Sequence, residues 1–362
     1  MAMQLRTGKI DTNVYDRSVK KRLGPALTKA RAAENETDLS TSRITCVDSV
    51  TMNTAQCGYL AVTEAVNDLS ADGYAAENIE TSILLPVGAQ EECLRRIEDQ
   101  IREAALAQGV KVTGGHTEVT DAVTRPVVTV AAAGRLFSAD EKKSGAHADG
   151  ARRNIDVLQK SSAHTGMYRE ESADAASDEN PTATAIVMTG FAGMEGTYML
   201  AADFGEQLRE RFPVRMISDM QTLLPLLSVR GDAEAVFRAD ENPVCVVNAS
   251  EGGIYAALWE LSERTHMGFE VSLPDIPIFQ ETIEFTDHFG INPYEMQSAG
   301  ALLIAADHPE ALSDLLEQQN IHAQIIGHLH PGRDKIITNG DERQSMNRPA
   351  ADSLIPLYTR KG

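Results

Sequence analysis

Two stretches in the second half of the chain follow one plan of buried strand, glycine turn and helix. Ala185-Ile-Val-Met188 runs into GFAGMEGTYMLAADFGEQLRERF, and VCVVNASEGGIYAALWELSERTHMG repeats the order. A short apolar run ahead of a glycine turn reads as a covered strand, and apolar residues three and four apart after it read as a helix. Strands that alternate with helices build layered α/β folds, with helices packed on a sheet. Ala299–Ala306 reads as a further strand, Pro309–Gln319 as a helix and His322–Leu329 as a strand, and the pattern ends near Tyr358.

The first half carries the same alternation without the duplication. Arg43-Ile-Thr-Cys-Val-Asp48 alternates like a strand that ends on a carboxylate. GYLAVTEAVNDLSAD, Gly58 to Asp72, has Leu60, Ala61, Ala65, Val66 and Leu69 at helical spacing, which sets Asn67 and Asp68 near the later turns. Ile79–Val87 reads as a buried strand. Ala89–Gly109 reads as an amphipathic helix, with Leu94, Ile97, Ile101, Ala105 and Leu106 on one face and Gly109 as its cap. A short strand, the loop GGHTEVT (Gly114–Thr120) and another strand from Pro126 follow. Residues 138–182 change composition to Ala, Ser, Asp, Glu, Lys and Arg, and read as either a linker or a surface insertion. The division is therefore 1–137, the polar stretch 138–182, and 183–362; for 362 residues two domains are the expected count.

Net charge is −20, and no Lys/Arg cluster stands out, which excludes nucleic acid and anionic membrane surfaces as partners. No run approaches the length of a membrane span, and the N-terminus lacks an apolar signal core. The four cysteines, Cys46, Cys57, Cys93 and Cys245, have no metal-ligand spacing and read as scattered core thiols. The expected compartment is cytoplasmic. With 5% aromatics, Ala, Val, Leu and Gly must do most of the packing, and the single tryptophan, Trp259, is expected in the core.

Three glycine turns, at Gly114-Gly115, Gly193-Met-Glu-Gly196 and Glu251-Gly252-Gly253, are each either a structural turn or a place where backbone N–H groups meet a phosphate. None has the P-loop or dinucleotide pattern. Asp48 and Asp68 are either Mg²⁺ ligands on a nucleotide's phosphates or a strand-end and a helix-surface acid. His116 with Glu118 is either a general acid/base pair or two turn residues. His328 and His330 would share one strand face without an evident third ligand.

Taken in order, GYLAVTEAVNDLSADG (58–73), VTGGHTEVT (112–120), GMEGTYMLA (193–201), ASEGGIYAALWEL (249–261) and INPYEMQSAGALLIAA (291–306) resemble the aminoimidazole-ribonucleotide synthetase (PurM-like) superfamily. That group includes selenophosphate synthetase, thiamine-monophosphate kinase and the carbamoyl dehydratase of hydrogenase maturation, and the likeness is to the synthase-related branch near the last. The resemblance implies an α/β (α+β) two-domain fold. Its N-terminal domain would join a partner's in a cross-dimer β-barrel, and its C-terminal domain would be an α/β sandwich. It implies a homodimer that binds ATP and Mg²⁺ and transfers a phosphoryl group to a small molecule. Asp48 and Asp68 would hold metal, Lys9, Asn67, Gly114, Gly115 and Thr117 would hold the nucleotide, and His116 or Glu118 would touch the substrate.

The chain also departs from the family pattern. KARAAENETDLSTSR, ahead of the Asp48 strand, lacks the glycine loop that supplies a further acid. His116 stands where several family kinases carry aspartate, and imidazole is a poor donor to a hard cation. The chain ends in SLIPLYTRKG, without the acceptor cysteine of the carbamoyl dehydratase. Two functions follow: an ATP-dependent enzyme with an unassigned substrate, or a non-catalytic dimeric relative that serves as sensor or scaffold.

Overall fold

The computed structural model describes residues 43–137, 184–239 and 243–361, together with Ser18 and Lys21–Leu23. Lys9 and the polar stretch 138–182 lie outside the described residues. The chain forms a two-domain α/β fold with two mixed sheets.

The first sheet has strands β1 (Arg43–Val50), β2 (Tyr74–Pro86), β3 (Lys111–Thr120) and β4 (Val127–Leu136), in the order β1-β4-β2-β3. Only the β2–β3 pair is parallel. Helices α1 (Cys57–Ala71) and α2 (Glu91–Ala107) cover one face. Every second residue of β2 and β4 is buried there, including Ile79, Ile83, Val128, Val130 and Ala132. That alternation is what a sheet packed on one side requires. The opposite face is open, and Val47 is 60% exposed on it.

The second sheet has strands β5 (Ala185–Thr189), β6 (Cys245–Ala249), β7 (Gly268–Ser272), β8 (Ala301–Ala306), β9 (Ala323–His330), β10 (Lys335–Asn339) and β11 (Glu342–Ser345), in the order β11-β10-β7-β9-β5-β8-β6. β5, β6 and β8 are buried at every position, as their mostly apolar runs predict, with Thr189 and Asn248 as buried polar members. The helices of this domain are α3 (Met194–Asp203), α4 (Gly205–Leu208), α5 (Val214–Gln221), α6 (Arg230–Phe237), α7 (Gly253–Thr265), α8 (Gln280–Phe289), α9 (Pro309–Gln318) and α10 (Ile355–Lys361). One apolar cluster joins the domains: Met52 and Leu60 pack with residues of α3, α5, α8 and the C-terminal Leu354 and Tyr358.

Four local expectations change. GGHTEVT is not a loop: Gly114–Thr120 continues β3 in register with β2. A Cβ on Gly115 would come within 2.6 Å of the Thr81 carbonyl oxygen, so this glycine permits close strand approach rather than a turn. Leu106 is 69% exposed and leaves the apolar face of α2. Trp259 is half-buried, with the Lys335 ammonium 4.5 Å above its ring. Cys46 and Cys93 are likewise only partly buried.

Candidate functional site

The glycine turn before α7 places the cleft wall. Gly253 has φ 66°, and a Cβ there would lie 2.6 Å from the carbonyl oxygens of both Tyr294 and Met296. Only glycine allows that approach. The turn brings Asn248 and Ser250 opposite the last turns of α1. Asn248 Nδ2 donates to Asp68 Oδ1 at 2.8 Å, and Arg264 of α7 donates to Asp72 Oδ1 at 2.9 Å. Cys46, Asp68, Asp72, Asn248, Ser250, Glu260 and Arg264 line a cavity of about 240 Å³ between the domains.

The cavity is acidic. Arg264 is its one cation among these residues, and it is paired with Glu260 at 2.7 Å as well as with Asp72. Burial works against the Arg264 charge, but Glu260 and Asp72 outweigh it and hold the guanidinium firmly protonated. Burial, with Asp68, Asp48 and Asp72 nearby, pushes the Cys46 thiol up to about 12. Cys46 is therefore no nucleophile at neutral pH. It stands 3.9 Å from Asp68 Oδ2. Both candidate metal acids thus share one neighbourhood with Cys46.

Register decides which expected residues can meet. Asp48, Val130, Thr81 and Gly115 form one row across the sheet, on the side packed by helices. Ser49, Thr129, Ser82 and His116 form the next row, on the open side. Asp48 and Gly115 stand at opposite edges, three strand spacings or roughly 14 Å apart. Within one chain the structure brings Asp48 together with Asp68, but not with His116 or Glu118. The last two pair with each other at 3.2 Å on the exposed edge strand. Thr117 and Gly115 face the Asp48 side, and Gly114 faces the open side.

Asn67 is fully buried and both ends of its amide are used. Its nitrogen donates to the Leu227 carbonyl at 2.8 Å, and its oxygen accepts from the Val229 N–H at 2.9 Å.

Sequence reasoning missed a deeper set of acids. Glu64 lies one helical turn before Asp68, a spacing that puts both on one face of α1. Glu195 opens α3 from the GMEGT turn. Both are buried, and burial together with Glu195 holds the Glu64 carboxyl well above the usual range. Burial lifts Glu195 to about 7, against hydrogen bonds from Glu64 and the Ala299 N–H. Asp352, from the C-terminal segment, accepts from the Gly252 N–H at 2.9 Å and the Leu354 N–H at 2.9 Å. Its burial likewise raises it to about 7, against those two donors. The i, i+4 spacing of Glu64 and Asp68 was the one sequence signal available.

A model of the AIR synthase related protein N-terminal domain matches residues 29–136, and one of the corresponding C-terminal domain matches residues 184–339. The chain belongs to the AIR synthase-related family. A Methanocaldococcus jannaschii protein named for hydrogenase expression and formation is 24% identical over 304 residues, which is 82% of this chain and 77% of that relative. Carbamoyl dehydratase HypE of Rhizobium leguminosarum bv. viciae is 23% identical over 277 residues, 75% of this chain and 67% of HypE. The fold matches hydrogenase maturation protein HypE in complex with ATP, with a TM-score of 0.59, 15% identity and coverage of 96% and 97% of the two chains. It also matches AaThiL complexed with AMPPCP and TMP, with a TM-score of 0.64, 13% identity and coverage of 97% and 99%. Those two structural relatives were thus solved with ATP and with AMPPCP. No described helix is long and apolar enough to cross a membrane.

Proposed function

We propose that the protein is an ATP-dependent enzyme that transfers a phosphoryl group to a small molecule at the interdomain cleft. The observation that carries this is an acidic cavity lined by Cys46 and Asp68, with Asp48 near the same Cys46, in a fold whose relatives HypE and ThiL were solved with ATP and AMPPCP. Carboxylate oxygens are the donors Mg²⁺ prefers, and Mg²⁺ takes only one or two from protein when phosphates supply the rest. That fits a region where, among the described residues, no three His, Cys, Asp or Glu side chains form a metal cage. Asp48 and Asp68 would hold the ion, which when bound neutralises phosphate charge. Asn248 now engages one Asp68 oxygen and would hand it over or remain as its orienting donor. Asn67 fixes the helix that carries Asp68.

The homodimer belongs to the same proposal. The open face of the first sheet ends in two outer strands, β1 and β3. A second copy pairing β3 against β1 would close a barrel. It would also set Gly115 and Thr117 of one copy on the side of Asp48 of the other, with His116 and Glu118 inside.

Calorimetric titration with ATP, with and without Mg²⁺, tests the reading. Binding that needs Mg²⁺ and weakens at least tenfold in Asp48→Asn and Asp68→Asn is the expected result. Binding untouched by either substitution removes the metal assignment. No binding under any condition leaves the sensor or scaffold role in its place.

A further inference from the structure

His328 and His330 stand two apart on β9, so both rings leave the same face of the second sheet. Their spacing names no third ligand, but the register supplies one. β9 runs antiparallel to β7, with His328 opposite Glu270 and His330 opposite Gly268. Residues opposite one another share a face, with Cβ atoms roughly 4.5–5.5 Å apart. Glu270 therefore stands beside His328, and His330 faces a position without a side chain. The ring uses that room: a Cβ on Gly268 would lie 2.6 Å from His330 Cε1.

The two ring centroids are 6.5 Å apart, with the planes tilted by 58°. Imidazoles that share one ion through metal–nitrogen bonds of about 2.0–2.1 Å bring their centroids to roughly 5–6 Å. A small rotation closes the difference, because histidine χ2 is a broad torsion. His330 is already set in one tautomer. Its Nδ1 lies 3.1 Å from the Pro331 carbonyl oxygen, which only accepts, so Nδ1 carries the proton and Nε2 keeps its lone pair. Such a carbonyl contact is the outer partner that a metal-bound histidine ordinarily has. The three side chains do not already converge on one point. Glu270 Oε2 accepts instead from Arg343 Nη2 at 2.7 Å. That bond holds the Glu270 carboxyl below the usual range, against slight burial, and keeps it ionised. The Arg343 side chain is 61% exposed, so releasing it to water costs little.

We propose that His328, His330 and Glu270 form a surface site for a divalent late transition-metal ion such as Zn²⁺, completed when Glu270 exchanges Arg343 for the metal. Imidazole nitrogens suit Zn²⁺, Ni²⁺ and Cu²⁺ rather than Mg²⁺. Three protein ligands leave a further position to water. The site is separate from the interdomain cleft: β9 lies three strand spacings, roughly 14 Å, from β6, and β7 lies one further. It rests on no part of the nucleotide reading.

The test is calorimetric titration of tag-free protein with Zn²⁺ alone, repeated on His328→Gln, His330→Gln, Glu270→Gln and Arg343→Ala. Each of the first three should weaken binding by about tenfold or more. Arg343→Ala should tighten it about two- to fivefold, the worth of an exposed ion pair, because Glu270 then has no competitor. Zinc-dependent protection of His328 and His330 from diethyl pyrocarbonate, read by peptide mass spectrometry on the wild-type protein, locates the ion without any variant. No Zn²⁺ binding, binding unchanged by either histidine substitution, or protection that falls on other histidines overturns the site. Weakening in the histidine variants with Glu270→Gln and Arg343→Ala both unchanged overturns the carboxylate exchange.

Discussion

Asn67→Ala separates a clamp from a ligand contact. The side chain is fully buried and joins the first domain to Leu227 and Val229, both themselves buried. Removing the amide leaves one backbone carbonyl and one N–H without partners in a site closed to water. Each orphaned group costs about 1–3 kcal/mol. Partial relaxation puts the total at about 2–4 kcal/mol, a sizeable share of the ~5–15 kcal/mol that holds a domain together. The assay is urea unfolding followed by circular dichroism, with nucleotide affinity measured by calorimetry on the folded variant at low temperature. The expected outcome is a lower midpoint with affinity within about twofold of wild type. A stability change under about 0.5 kcal/mol together with lost binding would refute the clamp and return Asn67 to the nucleotide.

Two further substitutions probe packing near the site. Gly115→Ala drives a Cβ into the Thr81 carbonyl and should destabilise the edge of the first sheet by about 1–3 kcal/mol, whereas Gly114→Ala, with its nearest contact at 4.0 Å, should cost far less; equal thermal shifts would contradict the register. Tyr358→Phe removes a buried hydroxyl that donates to Asp203 Oδ2 at 2.6 Å while Asp203 keeps the Ala55 N–H, so a loss of about 1.5–3 kcal/mol is expected by thermal unfolding, and a neutral result would mean the C-terminal helix is not part of the core.

The alternation of strand and helix was legible because burial imposes it. β5, β6 and β8 carry mostly apolar runs since both their faces are covered, and α1 carries its spacing since it packs on a sheet. The GGHTEVT segment was misread for a definable reason. Paired glycines ordinarily signal a turn, but neither Gly114 nor Gly115 has positive φ, and the glycine at 115 answers a neighbour 34 residues away, Thr81. Trp259 looked like core because its helix is amphipathic. Lys335 from β10 covers the ring instead, a pairing no local window contains. Of the candidate site, Asp48 and Asp68 were visible as acids at the ends of elements. Glu64, Glu195, Asn248, Arg264 and Asp352 were not, because each is defined by a partner in another domain or in the C-terminal segment.

The charge of the cleft constrains the order of binding. Its walls carry Asp68, Asp72 and Glu260 against Arg264, with Asp48 close behind, and the guanidinium is already shared by two carboxylates. Such a cavity repels a bare polyphosphate and attracts a divalent cation. ATP would enter with its metal or after it, so affinity should depend on Mg²⁺ far more than on salt-screened contacts to Arg or Lys. A glycine turn offers the competing route: backbone N–H groups hold phosphate without a metal. In this chain the turn before α7 already gives its Gly252 N–H to Asp352, which removes one such donor. Nucleotide binding that survives chelation of Mg²⁺ would therefore have to use groups outside this cleft, and would move the phosphate site away from Asp48 and Asp68.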